Sequence, residues 1–171
     1  MKHLQFAFVA TFAVFIISGC KTSTSPSGTT QTPGTMQANV AGKAWPSLYV
    51  PGVSGAARAH ITNGVLEVLG VSAVDNSTIA LDIVNPAVGT DSLGATGDEG
   101  FYSKILGATD TTVYASIPNS VFSPYSGSVM ITQYDTTAKQ VSGTFHFVAR
   151  LPTNLADTVS VTNGSFYQIG W

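Results

Sequence analysis

The hydrophobic and polar positions of this chain repeat every second residue over most of its length. In Ser77–Val84 the apolar Ile79, Leu81 and Ile83 alternate with Ala80 and Asp82, which predicts a strand with one buried face and one wetter face. Around Asn63-Gly64 two runs, "AHIT" and "VLEVLGVSA", flank a pair whose residues both accept positive φ, the strongest short-range signal of a hairpin. A second hairpin is predicted over "SGSVMITQYDTTAKQVSGTFHFVAR", with its turn at Asp135 to Gln140. On its return strand Val141, Phe145 and Phe147 point one way, and Ser142, Thr144, His146 and Arg150 the other.

Further strands are expected near Asn39 to Tyr49, Val88 to Leu93, Phe101 to Ile105, Thr112 to Ile117 and Thr158 to Ile169. No window carries an amphipathic helix, and no long internal repeat of the propeller or solenoid kind is present. Many short strands with glycine-rich turns predict an all-β fold, a single antiparallel β-sandwich, with a partly closed β-barrel as the alternative.

The first 35 residues follow another pattern. Met1-Lys2-His3 precedes a mostly apolar run, Leu4 to Ile17, broken only by Gln5 and Thr11, and then come Ser18, Gly19 and Cys20. A charged start, an apolar stretch too short to span a bilayer and small residues at its end describe a signal peptide over residues 1–19. Ile17-Ser18-Gly19-Cys20 resembles the bacterial lipobox, which implies that the Cys20 thiol carries a diacylglycerol thioether and becomes the first mature residue. Acyl chains contribute about 0.8 kcal/mol per buried methylene, so two or more of them hold a protein on a membrane.

From Lys21 to Thr35 only Lys21 and Gln31 depart from Ser, Thr, Gly and Pro, a composition expected to form a disordered tether with a reach of roughly 20 Å. Residues 20–35 are thus assigned to the lipidated cysteine and tether, and residues 36–171 to the β-domain.

Composition then removes several functions. Cys20 is the chain's single cysteine, so the domain has no disulfide, thiolate nucleophile or thiolate zinc site. Two of the seven Lys and Arg, Lys2 and Lys21, precede Met36, which leaves five against nine Asp and Glu in the domain. That balance argues against a nucleic-acid partner, since phosphate contacts need clustered basic side chains.

Chemistry-bearing motifs are mostly missing. No serine sits in a G-x-S-x-G elbow, and His60 and His146 belong to no H-E-x-x-H pair and lie on the polar faces of their strands. Asp91, Asp98 and Glu99 could offer oxygen ligands to Ca²⁺, but they lack EF-hand spacing. No catalytic residue, metal or cofactor is expected. The aromatics Trp45, Tyr49, Tyr102, Tyr114, Tyr125, Tyr134, Tyr167 and Trp171 would form a sugar-stacking platform if several shared an exposed face, whereas core packing is the commoner fate of such residues.

The segments "MQANVAGKAW", "VGTDSLG", "ITQYDTTAKQVSGTFHF" and "VTNGSF" resemble small β-rich lipoproteins of unknown function from Bacteroidota. The resemblance spans nearly the whole domain. It implies a turn at Gly42, core positions for Trp45 and Phe145, and a bulge or close approach at Gly143. Exported proteins of that group carry O-glycans at sites resembling Asp, then Ser or Thr, then one of Ala, Ile, Leu, Met, Thr or Val. Four places here fit, at Ser92, Thr111, Thr136 and Thr158, where random order would give roughly 0.7. Turn chemistry alone supplies the Asp and the hydroxyl but does not select the third residue. Thr136 is expected to be the most exposed of the four and Ser92 the most shielded.

The expected protein is therefore a non-enzymatic lipoprotein anchored through Cys20. It acts as a binding or structural accessory at the cell envelope, with a carbohydrate-binding surface module as the alternative and a hydrolase less favoured. Its partners are the membrane, through the lipid anchor, and a glycan or an envelope protein. Lys21-Thr22-Ser23-Thr24-Ser25 lacks the acidic pair that resembles a surface-export signal, so attachment to the outer membrane facing the periplasm is preferred over the cell surface.

Overall fold

The computed structural model describes residues 31–47, 57–72, 74–94, 97–105, 111–117 and 126–171. Cys20, Tyr49 and Tyr125 lie outside them. The described residues form eleven strands: β1 (Thr35–Val40), β2 (Lys43–Pro46), β3 (Ala57–Thr62), β4 (Val65–Ser72), β5 (Ser77–Val84), β6 (Gly89–Leu93), β7 (Glu99–Ile105), β8 (Thr111–Ala115), β9 (Gly127–Asp135), β10 (Gln140–Leu151) and β11 (Asn154–Gly170). All pair antiparallel in one sheet of order β2-β1-β11-β10-β8-β7-β5-β4-β3, with β9 on β10 and β6 on β9. The fold is all-β and sandwich-like, as the alternation predicts, and the sheet does not close into a barrel.

Its two layers arise because β10 shares one edge between two partners. Residues 140 to 147 of β10 pair with β9, whereas Arg150 pairs with Ala115 of β8. The sheet divides there, and the wing β8-β7-β5-β4-β3 folds back over β1 and β2. Gly70 of β4 lies under Met36 and Trp45, where a Cβ would sit 2.9 Å from the Met36 sulfur.

Between the layers the inward residues exclude water. Leu66, Val68, Ile79, Leu81, Ile83, Val129 and Val161 have no exposed surface. Phe145 stands with Phe147 and Phe166 on either side, each ring 6.2 Å away. Trp45 is buried too, and its indole Nε1 donates to Ser77 Oγ at 2.6 Å, which in turn donates to Asp75 Oδ1 at 2.5 Å. That chain satisfies the indole N–H, which would otherwise be costly inside an apolar core.

The Asn63-Gly64 turn has φ of 52° and 80° and joins β3 to β4 as expected. The stretch Asn39 to Tyr49, expected as one strand, turns in its described part at Ala41 and Gly42 into a hairpin. Ala41 and Gly42 both take positive φ, 48° and 77°, and fold β2 back on β1. The implied turn at Gly42 is real, but the alanine before it hid the signal, because alanine rarely takes that conformation. β1 begins at Thr35, and Gly34 N donates to Tyr167 O, so the strand takes up the last of the residues whose composition predicted a coil.

Of the two roles implied for Gly143 the close approach is the one found: a Cβ would meet the Phe166 ring and Met130 O, while the bulges lie opposite it on β9 and β11. Ser142 keeps the polar-face parity of Thr144 and His146, but it is buried there under polar partners from β9 and β11. Its Oγ accepts from Gln168 N at 2.9 Å and donates to Gln133 Oε1 at 3.4 Å.

Candidate functional site

The outward faces of the two wings differ. Over β9, β10, β11 and β1 the face is concave and polar, and it holds an open groove of about 780 Å³. Its walls carry hydroxyls from Ser128, Thr144, Thr162 and Ser165, amides from Gln37, Asn163 and Gln31, the last donating to Thr35 O and Ser165 O, and the His146 imidazole. Among the described residues, no Lys, Arg, Asp or Glu lines it. A smaller hollow of about 320 Å³ continues the groove toward β2 past Gln37 and Asn163, which line both.

The concavity comes from irregular strand pairing. Register shifts occur between Gln37 and Asn39 on β1, between Phe145 and Phe147 on β10 against β11, and between Ser142 and Gly143 on β10 against β9. Asn163 sits in the second of these with φ of 51°. The first two shifts reflect one extra residue on β11, around Asn163, and the third an extra residue on β9; such bulges bend a strand and re-aim side chains, and together they curve this face around Thr144 and His146. In the groove Ser128 Oγ lies 3.5 Å from His146 Nδ1. Among the described residues no carboxylate lines the groove beside that imidazole, as a serine–histidine–acid triad would require.

On the other wing a charged row crosses four strands. His60 pairs with Glu67, Glu67 with Asp82, and Asp82 with Glu99. Paired residues share a face, so three carboxylates stand side by side beside one imidazole. The Asp82 carboxyl is pushed above the usual range, first by burial and then by Glu67 and Glu99. His60 and His146 are both exposed, on the polar faces expected of them.

The calcium candidates do not share a site. Asp98 is buried and its Oδ1 accepts from Val84 N at 2.7 Å, while Glu99 belongs to the outward row. Asp91 lies near Asp98, and burial followed by the Asp98 charge pushes its carboxyl up. No group of three or more His, Asp or Glu among the described residues is placed to hold a metal ion.

Nor do the described aromatics make the stacking platform. Trp45 and Tyr102 are buried, and Tyr114 packs its ring 6.1 Å from that of Tyr102. Tyr134 and Trp171 are coplanar but stack on each other, 5.1 Å apart, at the edge of the core. Of the hydroxyls in Asp-Ser/Thr sites, Thr111, Thr136 and Thr158 are exposed and Ser92 is half-buried on β6. Asp135 Oδ1 accepts from Thr137 N and Ala138 N at 2.9 and 2.8 Å, which leaves the neighbouring Thr136 side chain free at the hairpin tip.

The alternation of β10 marks Thr144 and His146 as outward, but the groove is not legible there, because it needs bulges on β9 and β11 together. No helix among the described residues is long and apolar enough to cross a membrane.

The family described as Domain of unknown function (DUF6252) matches residues 32–170. No curated protein and no solved structure matches the chain.

Proposed function

Because the chain belongs to the DUF6252 family, whose function is unknown, we propose from its own residues that it is a membrane-anchored lipoprotein serving as a binding accessory at the cell envelope. The observation that carries the binding role is the charge-free groove. It is a concave, polar site on a face whose backbone is already paired in the sheet, and such a rigid scaffold suits recognition. A non-enzymatic role is supported by the Ser128 and His146 pair, which has no orienting acid among the described residues. The anchor is supported by the lipobox-like run ending at Cys20, and the preferred placement is the outer membrane facing the periplasm. O-glycosylation at Thr111, Thr136 and Thr158 is supported by their exposure, and Ser92 is the least accessible of the four.

Two measurements in the native host test this reading. Radiolabelled palmitate should enter the wild-type chain and leave Cys20→Ala unlabelled and off the membrane. A labelled, membrane-bound Cys20→Ala protein overturns the anchor. A photo-crosslinking residue at position 144 should capture a discrete envelope component that the same residue at position 62, on the opposite face, does not. Equal capture from both positions removes the groove as the binding site.

A further inference from the structure

We infer that the groove over β9, β10, β11 and β1 is a subsite for an uncharged oligosaccharide. This deepens the binding role proposed above and rests on it.

Among the described residues the lining carries no charge, which argues against most alternatives. An anionic ligand, whether a polyphosphate, a nucleic acid or an acidic glycan, would lose hydration here and find no Lys or Arg in exchange. A cationic ligand would find no carboxylate. An extended peptide binds a sheet by adding a strand at a free edge, but this groove lies on the face of strands whose edges already pair with one another.

What the walls do offer suits sugar hydroxyls. A sugar hydroxyl both donates and accepts. So do the hydroxyls of Thr144, Thr162 and Ser165 and the amides of Gln37 and Asn163. Among the described residues the side chains of these five groups make no hydrogen bond within the protein, so their capacity is unspent. The apolar C–H face of a sugar ring has a counterpart in Met130, which is 43% exposed inside the same groove and adapts its shape readily. The continuation past Gln37 and Asn163 makes the site elongated, which favours a chain of several rings over a single one.

The test uses the full-length protein in detergent micelles and isothermal titration with maltohexaose, cellohexaose, mannohexaose and chitohexaose, with heparin as the acidic comparison. At least one neutral hexasaccharide should bind saturably and heparin should not. Thr144→Glu, an outward position that keeps the core intact, should weaken that binding about tenfold or more, by setting an unpaired charge against the ligand. Thr62→Glu, on the other wing, should leave it unchanged.

Binding of heparin alone, binding unaffected by Thr144→Glu, or no binding of any neutral hexasaccharide overturns the inference. If position 144 still crosslinks an envelope component in that last case, the accessory role stands and only the ligand class falls.

Discussion

Replacing Asp82 with Asn should stabilise the domain, because Asp82 stands between two carboxylates with which it shares a face. Directly paired side chains on a sheet lie about 5.5 Å apart, at which two unit charges in water repel by about 0.8 kcal/mol. Screening over a Debye length of about 8 Å halves this, so Glu67 and Glu99 together cost the folded state about 0.8 kcal/mol at physiological ionic strength. Asparagine keeps the shape and removes both repulsions. For a domain of this size the gain corresponds to a rise in Tm of about 3 °C.

Salt and pH identify the cause. The gain should grow to about 1.3 kcal/mol at 0.01 M salt and shrink to about 0.3 kcal/mol at 1 M, as the screening length falls from about 30 Å to about 3 Å. The Asp82 carboxyl is raised by burial, then by Glu67 and Glu99, so the folded chain binds a proton that the unfolded chain releases. The penalty is therefore full above the raised folded-state value and fades as the pH falls through it, where the wild type should converge on Asp82→Asn. Urea melts of both proteins between pH 4 and 8 at low and high salt measure this. An Asp82→Asn protein no more stable than wild type at pH 7 and low salt, or a gain indifferent to salt and pH, refutes the electrostatic account.

Gly164→Ala should cost about 2 to 3 kcal/mol in a urea melt, because its Cβ would lie 2.5 to 2.6 Å from ring atoms of Phe145, which is held between Phe147 and Phe166 and cannot yield. A loss under about 0.5 kcal/mol would mean that this layer of the core can rearrange. Trp45→Phe leaves the buried Ser77 hydroxyl without the indole donor and opens a small cavity, so it should lower stability by about 1 to 3 kcal/mol, read by the same melt; an unchanged midpoint contradicts the role given to that hydrogen bond. In the native host, Thr136→Ala should lower the intact mass of the mature protein by one glycan, and a wild-type mass equal to lipid plus polypeptide would leave turn chemistry as the sole reason for the Asp-Thr pairs.

The sequence by itself determined the class of the fold and its local strand pairing. Alternation at Ile79, Leu81 and Ile83 marked a buried face, since successive strand residues point to opposite sides of the sheet. Asn63-Gly64 set Thr62 opposite Val65, and with it His60 opposite Glu67, because a two-residue turn admits one register. One of the row's three pairings was thus legible in the hairpin; the others needed the registers of β4 with β5 and of β5 with β7, and the latter is a pairing of strands that are not consecutive.

Only the tertiary structure decided the rest. The Ala41 turn, the burial of Ser142 and the groove all depend on residues that break the period of two. A bulge is a compromise between two strands and is invisible in either alone. Layering, too, was undecided locally, because one sheet becomes two layers only where β10 gives a single edge to both β8 and β9. That sharing depends on contacts between residues far apart in the chain, whose energy no short window of sequence contains.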